Sequence, residues 1–410
     1  MLNFALMTIV AIVAPMAAKF VIDGPYSLEA NSQWANTLVA VFFAAASGYL
    51  AIQELIQFPG RMLIGNVIFT FSAPFVLMSL AFFVARIDYS RIQFIGGFLV
   101  CVIWTILYYS ITHRRARPAF AVVPFGAAER LLGIEGVDWI RLDAPASPPP
   151  RCQGVVVDLA SDLPQEWRAF ITGAALQGVR VFGAQMIAES LTGKVELEHL
   201  SENGVGGLNP NYLYLHLKQA FDFLSALVAL IVLAPLFAVV AIAIRLDSKG
   251  PAFFTQKRVG FRGRVFRIYK FRTMTARADA GAEGRDEAMT QHNDERVTRL
   301  GRFLRNARID ELPQIINILR GEMSWIGPRP EAVALSQWYT DHLPYYAYRH
   351  VVRPGISGWA QVNQGHVAEL DEAREKLKYD FFYIKNFSLW LDFLICLTTA
   401  EVVFSGYGAR

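Results

Sequence analysis

Cysteine is scarce in this 410-residue chain, with three residues and no CxxC spacing, which excludes a disulfide framework and a cysteine-based zinc site. Histidine is thin as well: seven imidazoles are scattered along the sequence, and no pair has a metal-ligand spacing. Charged residues make up 18% of the chain and the net charge is +4, too little imbalance for a dedicated nucleic-acid binder, so no nucleic-acid partner is expected. What fills the chain instead is apolar: 54% hydrophobic residues and a mean hydropathy of +0.31. That composition is foreign to an ordinary soluble protein of this length and points to membrane segments.

Four apolar runs, residues 2–22, 34–56, 62–84 and 92–112, are each long enough to cross a bilayer. The first lacks the basic start and small-residue cleavage site of a signal peptide and reads as a retained anchor. Residues 1–113 are therefore expected to form a transmembrane helical bundle. The cluster His113-Arg114-Arg115-Ala116-Arg117 follows it, and the positive-inside tendency puts the next segment, and with it the N-terminus, in the cytoplasm. Over 114–210 the pattern changes to short β-rich runs at 119–123, 137–142, 154–159 and 179–182, with a helical stretch at 164–177. This predicts a small α/β domain with a mainly parallel sheet. Its turn Pro124-Phe125-Gly126-Ala127-Ala128-Glu129 lacks the GxGxxG glycines of dinucleotide binding, so an accessory or oligomerisation role is expected, and a homo-oligomer with it.

The run 221–246 is apolar between Asp222 and Arg245 and carries Pro235 near its middle. A proline there removes one helical hydrogen bond and clashes with the preceding turn. A crossing helix would leave the α/β segment and the arginine-rich segment after it on opposite faces of the membrane. A re-entrant hairpin, helix, break at Pro235 and helix, removes that conflict. The fold class is thus a membrane protein: a transmembrane bundle, a cytoplasmic α/β domain and a mainly α catalytic domain over 211–410 with the re-entrant helix. A last apolar stretch, 387–404, contains Asp392 and Glu401, costly at mid-bilayer, and is expected to lie on the membrane or pack on the domain.

The chemistry concentrates in Arg308-Ile309-Asp310-Glu311-Leu312-Pro313-Gln314. Pro313 suits a first helical turn, and Ile315, Ile316, Ile318 and Leu319 continue an apolar pattern up to Gly321. Asp310 is then expected near the N-cap, where an ionised carboxylate is favoured and can hold a divalent metal or attack phosphorus; plain helix capping is the competing reading. Cations surround the pair in sequence. Strand alternation over 265–274 puts Lys270 and Arg272 on one face. The stretch 295–307 carries Arg299, Arg302 and Arg305 at intervals of three, and Arg329 stands between Pro328 and Pro330, a rigid fork for phosphate. Residues 276–294 have no core pattern and read as a mobile loop.

Together with Gln256-Lys257-Arg258-Val259-Gly260, Gly327-Pro328-Arg329-Pro330 and Arg353-Pro354-Gly355-Ile356-Ser357-Gly358-Trp359, this set resembles the monotopic phosphoglycosyl transferases, the bacterial sugar transferases, from about Leu217 to the C-terminus. The resemblance implies transfer of a sugar 1-phosphate, with glucose or galactose expected, from a UDP-sugar to undecaprenyl phosphate, as the first membrane step of exopolysaccharide, capsule or O-antigen synthesis. It implies a covalent phosphosugar intermediate on Asp310, with Asp310 and Glu311 binding Mg2+; adjacency alone does not divide their roles. It implies phosphate contacts from Lys270, Arg272, Arg305, Arg329 and Arg353, and an active-site or nucleotide loop containing Pro354, Gly355, Gly358, Gln361 and Asn363. It places the protein in the bacterial inner membrane with a cytoplasmic catalytic domain, with downstream glycosyltransferases as candidate partners. Two departures stand out: Ala234-Pro235 replaces Ser-Pro at the helix break, and Gln364-Gly365-His366 replaces a Gly-Arg pair. Two competing functions remain, a non-catalytic scaffold binding lipid carrier or glycan-assembly partners, and a glycosyltransferase that releases UDP.

Overall fold

A computed structural model describes residues 2–23, 32–55, 64–115, 118–147, 149–150, 152–197, 209–275, 296–364 and 369–405. The expected mobile loop at 276–294, His366 and Arg117 lie outside the described residues. The chain divides into two compact units, Met1–Gly193 and Lys194–Arg410. Lys194 and Glu196 join the second unit by pairing with Glu375 and Lys378, at 2.7 and 2.8 Å, and the Val195 N–H donates to the Lys378 carbonyl.

The first unit opens with four apolar helices, α1 (Leu2–Asp23), α2 (Ser32–Leu55), α3 (Ile64–Ala85) and α4 (Arg91–Arg115). Small residues let them approach: a Cβ on Gly96 would sit 2.7 Å from the Pro15 side chain, and Ala11, Ala40, Ala44 and Ala45 are buried between helices. Outward-facing side chains such as Phe83 and Val76 are exposed and apolar, the reverse of a soluble bundle. By length and apolarity Gln33–Leu55, Val67–Ala85 and Arg91–Ile111 can cross a membrane, and α1 adds the shorter apolar stretch Asn3–Ala18.

A parallel four-stranded sheet follows, in the order β2 (Asp138–Arg141), β1 (Ala119–Val122), β3 (Val155–Val157), β4 (Val181–Gly183). Helices α5 (Ala127–Arg130), α6 (Gln165–Leu176) and α7 (Ala184–Thr192) cover it, as two cores of buried residues on its faces require. At the switch point between β1 and β3, where such sheets take ligands, Asp158 accepts the Ala127 N–H at 2.8 Å. The chain's own carboxylate thus occupies the start of α5, in keeping with the missing glycine fingerprint.

The second unit begins with α8 (Tyr212–Asp247), 36 residues long. The expected break does not occur: the helix runs on through Pro235. On either side of it Leu233 and Phe237 pack against the core of this unit, which carries the run across one missing hydrogen bond. A hairpin of strands β5 (Phe253–Val259) and β6 (Val265–Phe271) comes next, then α9 (Arg299–Asn306) and a 3-10 turn, Ile309–Gln314, leading into α10 (Ile315–Leu319). Strand β7 (Ser324–Ile326), α11 (Val333–His342), β8 (Gly355–Ser357), α12 (Trp359–Asn363), α13 (Leu370–Lys385) and α14 (Leu389–Ser405) complete the unit.

Asp392 does not face an interface as a lone charge. It is buried and takes bonds from Lys218 Nζ and the Tyr214 hydroxyl, both at 2.6 Å, and from the Tyr383 hydroxyl at 2.8 Å, fastening α14 to the first turns of α8.

Candidate active site

The acid pair is built on a backbone exception. Arg308 adopts a left-handed conformation (φ 55°) and is the N-cap of the 3-10 turn, so Asp310 and Glu311 lie inside its first turn rather than at the cap. No side chain caps this turn, which removes the plain capping reading of Asp310. The apolar pattern then does what its spacing predicts: Ile315 and Ile318 are buried in the core and Gly321, at φ 71°, ends the helix.

One residue that sequence reasoning passed over fixes the turn against the hairpin. Asn317 is fully buried; its Nδ2 donates to the Arg267 carbonyl at 2.7 Å and its Oδ1 accepts the Tyr269 N–H at 3.1 Å. Those are backbone atoms of β6 on either side of Ile268, so Asn317 sets where Lys270 meets the acids. Lys270 Nζ reaches Glu311 Oε1 at 2.7 Å, and Arg329 Nη2 reaches the same oxygen at 3.1 Å. Arg305 donates from Nε to the Thr273 hydroxyl at 2.9 Å and acts on Asp310 through space.

The setting shifts the two carboxylates in opposite directions. Burial pushes Glu311 up, but Arg329 and Lys270 outweigh it and hold its carboxyl well below the usual range. Burial and the neighbouring Glu311 charge push Asp310 up to about 6, against the pull of Lys270, Arg305 and Arg329. Lys270 is lowered, chiefly by burial, with Glu311 opposing. Glu311 is thus spent on pairing Lys270 and Arg329, and Asp310, without a hydrogen bond or ion pair among the described residues, is the partly buried oxygen donor left to a ligand. Magnesium needs only one or two carboxylates plus phosphate oxygens and water. The pair fits that requirement, with Asp310 as the open donor, although no group of three metal-ligating side chains occurs among the described residues.

Arg329 is positioned by its backbone. Arg349 Nη2 donates to its carbonyl at 3.0 Å and Arg258 Nη1 to the Pro330 carbonyl at 2.7 Å. Arg349 is itself buried against Asp380 (2.7 Å), while Glu331 takes Lys376 at 2.5 Å. The Gln-Lys-Arg-Val-Gly motif was the sequence signal for Arg258. Arg349, Asp380 and Glu331 gave none.

Two expected phosphate ligands are elsewhere. Strand β6 ends at Phe271, so alternation no longer governs Arg272; its Nη2 donates to the Ser248 carbonyl at 2.6 Å and to the Ser248 hydroxyl at 3.0 Å. It closes the C-terminus of α8, whose last carbonyls attract a cation. Arg353 donates to the Gly321 carbonyl at 3.0 Å and to Gln219 at 2.8 Å, beside α8. The expected loop is a structural joint. Gly355 and Gly358 press on Gly327 so closely that a Cβ on either would strike backbone, and Pro354 passes its carbonyl to the Ser324 N–H at 2.9 Å. Gln361 and Asn363 donate to the carbonyls of Ile356 and Trp359, at 3.0 and 2.8 Å. Pro235 lies within α8, between exposed apolar residues such as Val232 and Leu236.

Over residues 213–406 the chain matches the family described as bacterial sugar transferase. It is 40% identical over 377 residues to a UDP-N-acetylgalactosamine-undecaprenyl-phosphate N-acetylgalactosaminephosphotransferase of Aeromonas hydrophila, covering 92% of this chain and 88% of that protein. A UDP-glucose:undecaprenyl-phosphate glucose-1-phosphate transferase of Xanthomonas campestris pv. campestris is 42% identical over 197 residues, 48% of this chain and 40% of that one. A protein of the same name from Escherichia coli (strain K12) is 40% identical over 195 residues, 47% of this chain and 40% of its own length. With the acid pair, its cations and a likeness that runs through nearly the whole chain, the protein belongs to the bacterial sugar transferase family.

Proposed function

We propose that the chain transfers a sugar 1-phosphate from a UDP-sugar to undecaprenyl phosphate and releases UMP, at the cytoplasmic face of the bacterial inner membrane. The observation that carries this reading is the asymmetry of the acid pair: Glu311 is bonded by Lys270 and Arg329, while Asp310 beside them has no hydrogen bond or ion pair among the described residues. In the first step an Asp310 carboxylate oxygen attacks the sugar-bearing phosphorus. The bond from that phosphorus to the bridging oxygen breaks, and UMP leaves with the electron pair. A phosphate oxygen of the lipid carrier then attacks the same phosphorus, the aspartyl bond breaks, and the carboxylate is restored with a polyprenyl diphosphate sugar as product. Lys270, Arg305 and Arg329 neutralise charge spreading over the transferred group, which is the main demand of phosphoryl transfer. Magnesium, held by Asp310 with Glu311 beside it, would neutralise the diphosphate when bound.

Membrane placement follows from the apolar helices and the exposed apolar run of α8 around Pro235. Pro235, where the continuous helix lacks one hydrogen bond, lies in that exposed run, and Lys218 and Arg272 hold the two ends of α8 to the domain. The relative from Aeromonas hydrophila, similar over 92% of this chain, is named for N-acetylgalactosamine, so UDP-N-acetylgalactosamine heads the donor panel, with UDP-glucose and UDP-galactose beside it. The test is a trapping experiment with donor labelled in the sugar and no acceptor. Wild-type protein should retain label and release UMP, and Asp310→Asn should do neither. Label retained by Asp310→Asn would overturn the nucleophile assignment, UDP release would favour a glycosyltransferase, and no release from any donor would favour a scaffold.

A further inference from the structure

A cavity of about 390 Å3 lies between the foot of α8 and the end of α10, with His216, Asp222, Phe223, Leu319, Arg320 and Arg353 in its wall. It is separate from the reacting acids: none of Asp310, Glu311, Lys270 and Arg329 lines it. Its wall holds two arginines, Arg320 and Arg353, and one carboxylate, Asp222. Arg353 is braced by Gly321 and Gln219 with its guanidinium 4.8 Å over the Phe261 ring, and Arg262 lies 5.0 Å from the same ring. Arg320 is exposed and tied to the Tyr269 hydroxyl at 2.7 Å. The opposing carboxylate, Asp222, is 4% exposed and engaged with Ser324.

The cavity adjoins an apolar stripe. Phe223, which lines the cavity, and Leu227 and Ile231 beyond it are 45%, 41% and 67% exposed, at the spacing that puts them on one side of α8. Cationic forks beside exposed hydrocarbon match an amphiphile with a phosphate head. We propose that this cavity binds the phosphodiester headgroup of an anionic bilayer lipid, whose acyl chains lie along the Phe223, Leu227 and Ile231 stripe. This rests on α8 being embedded in the membrane. A free phosphate ion would gain nothing from the stripe or from Leu319. The phosphate of the lipid carrier must reach Asp310, which this cavity does not contain.

The experiment uses the full chain in nanodiscs of phosphatidylcholine with increasing phosphatidylglycerol, with retained phosphatidylglycerol counted by native mass spectrometry. Wild-type protein should hold phosphatidylglycerol selectively. The double variant Arg262→Gln, Arg320→Gln should hold it about tenfold more weakly, the scale of one charge-assisted hydrogen bond, with unchanged thermal unfolding. Equal retention by variant and wild type overturns the proposal. Displacement of the lipid by excess inorganic phosphate also overturns it, assigning the cavity to the free ion. A raised KM for polyprenyl phosphate in the variant, with phosphatidylglycerol retention unchanged, overturns it in favour of the acceptor. Absence of UMP release from every sample, with lipid retention still dependent on Arg320, counts against the reaction and supports the lipid site.

Discussion

Replacing Arg349 by Met tests whether the ion network behind Arg329 is a unit. Arg349 and Asp380 are 2% and 3% exposed, and the guanidinium gives the Asp380 Oδ2 two contacts, 2.7 Å from Nη2 and 3.0 Å from Nε. Methionine fills much of the same space but strips Asp380 of both, and it leaves the Arg329 carbonyl without its 3.0 Å donor. Breaking a buried pair from one side costs about 3–5 kcal/mol, because the remaining charge stays desolvated. For a unit of this size that is a fall of roughly 6–20 °C in the unfolding midpoint. Removing both charges, Arg349→Met with Asp380→Leu, should recover most of the loss, since the double change leaves no lone carboxylate there. The assay is thermal unfolding of purified protein in one detergent for wild type, both single variants and the double variant. A single-variant loss below about 1 kcal/mol, or a double variant as unstable as the two losses added, would refute the account of a desolvated pair.

Three further outcomes follow from the same geometry. Burial and the Arg349 charge hold His350 down to about 3, against Glu331; the unfolded chain takes up a proton below about 6.5. Stability is therefore full above that pH and falls as pH drops toward 3, by about 2 kcal/mol at pH 5, and His350→Phe should flatten this part of the curve in denaturant unfolding. Gly327→Ala should cost more than about 3 kcal/mol or abolish folding, because its Cβ would strike the Arg353 carbonyl and the Pro354–Gly355 backbone; a soluble, fully stable variant would show that this joint can open. Asn317→Ala leaves the Arg267 carbonyl and the Tyr269 N–H unpaired beneath the acid pair, a loss of about 2–4 kcal/mol by chemical unfolding, and a loss under about 1 kcal/mol would mean water replaces the amide.

What could be read from sequence was what repeats locally. Four apolar runs gave four helices, β-rich runs gave a parallel sheet, and the acid pair with Lys270 and Arg329 came together as their motifs implied. Local rules failed where a tertiary partner took over. Alternation assigned Arg272 to the site, but the strand stops one residue short and the open end of α8 claims the guanidinium. Asp392 looked costly in an apolar helix because Lys218 and Tyr214, which satisfy it, lie more than 170 positions away. Arg349 and Asp380 share no motif; only the fold brings them together. Pro235 signalled a break from its own chemistry, and the packing of neighbouring side chains carried the helix across.

Helix α8 behaves as a beam clamped at both ends, by the Lys218 pair with Asp392 and by the Arg272 bonds to Ser248. Pro235 is the one rung missing between the clamps. Deflection imposed by surrounding lipid concentrates at that soft point, so the far anchorage, whose Arg272 stands two residues from Lys270, stays at rest while the middle flexes.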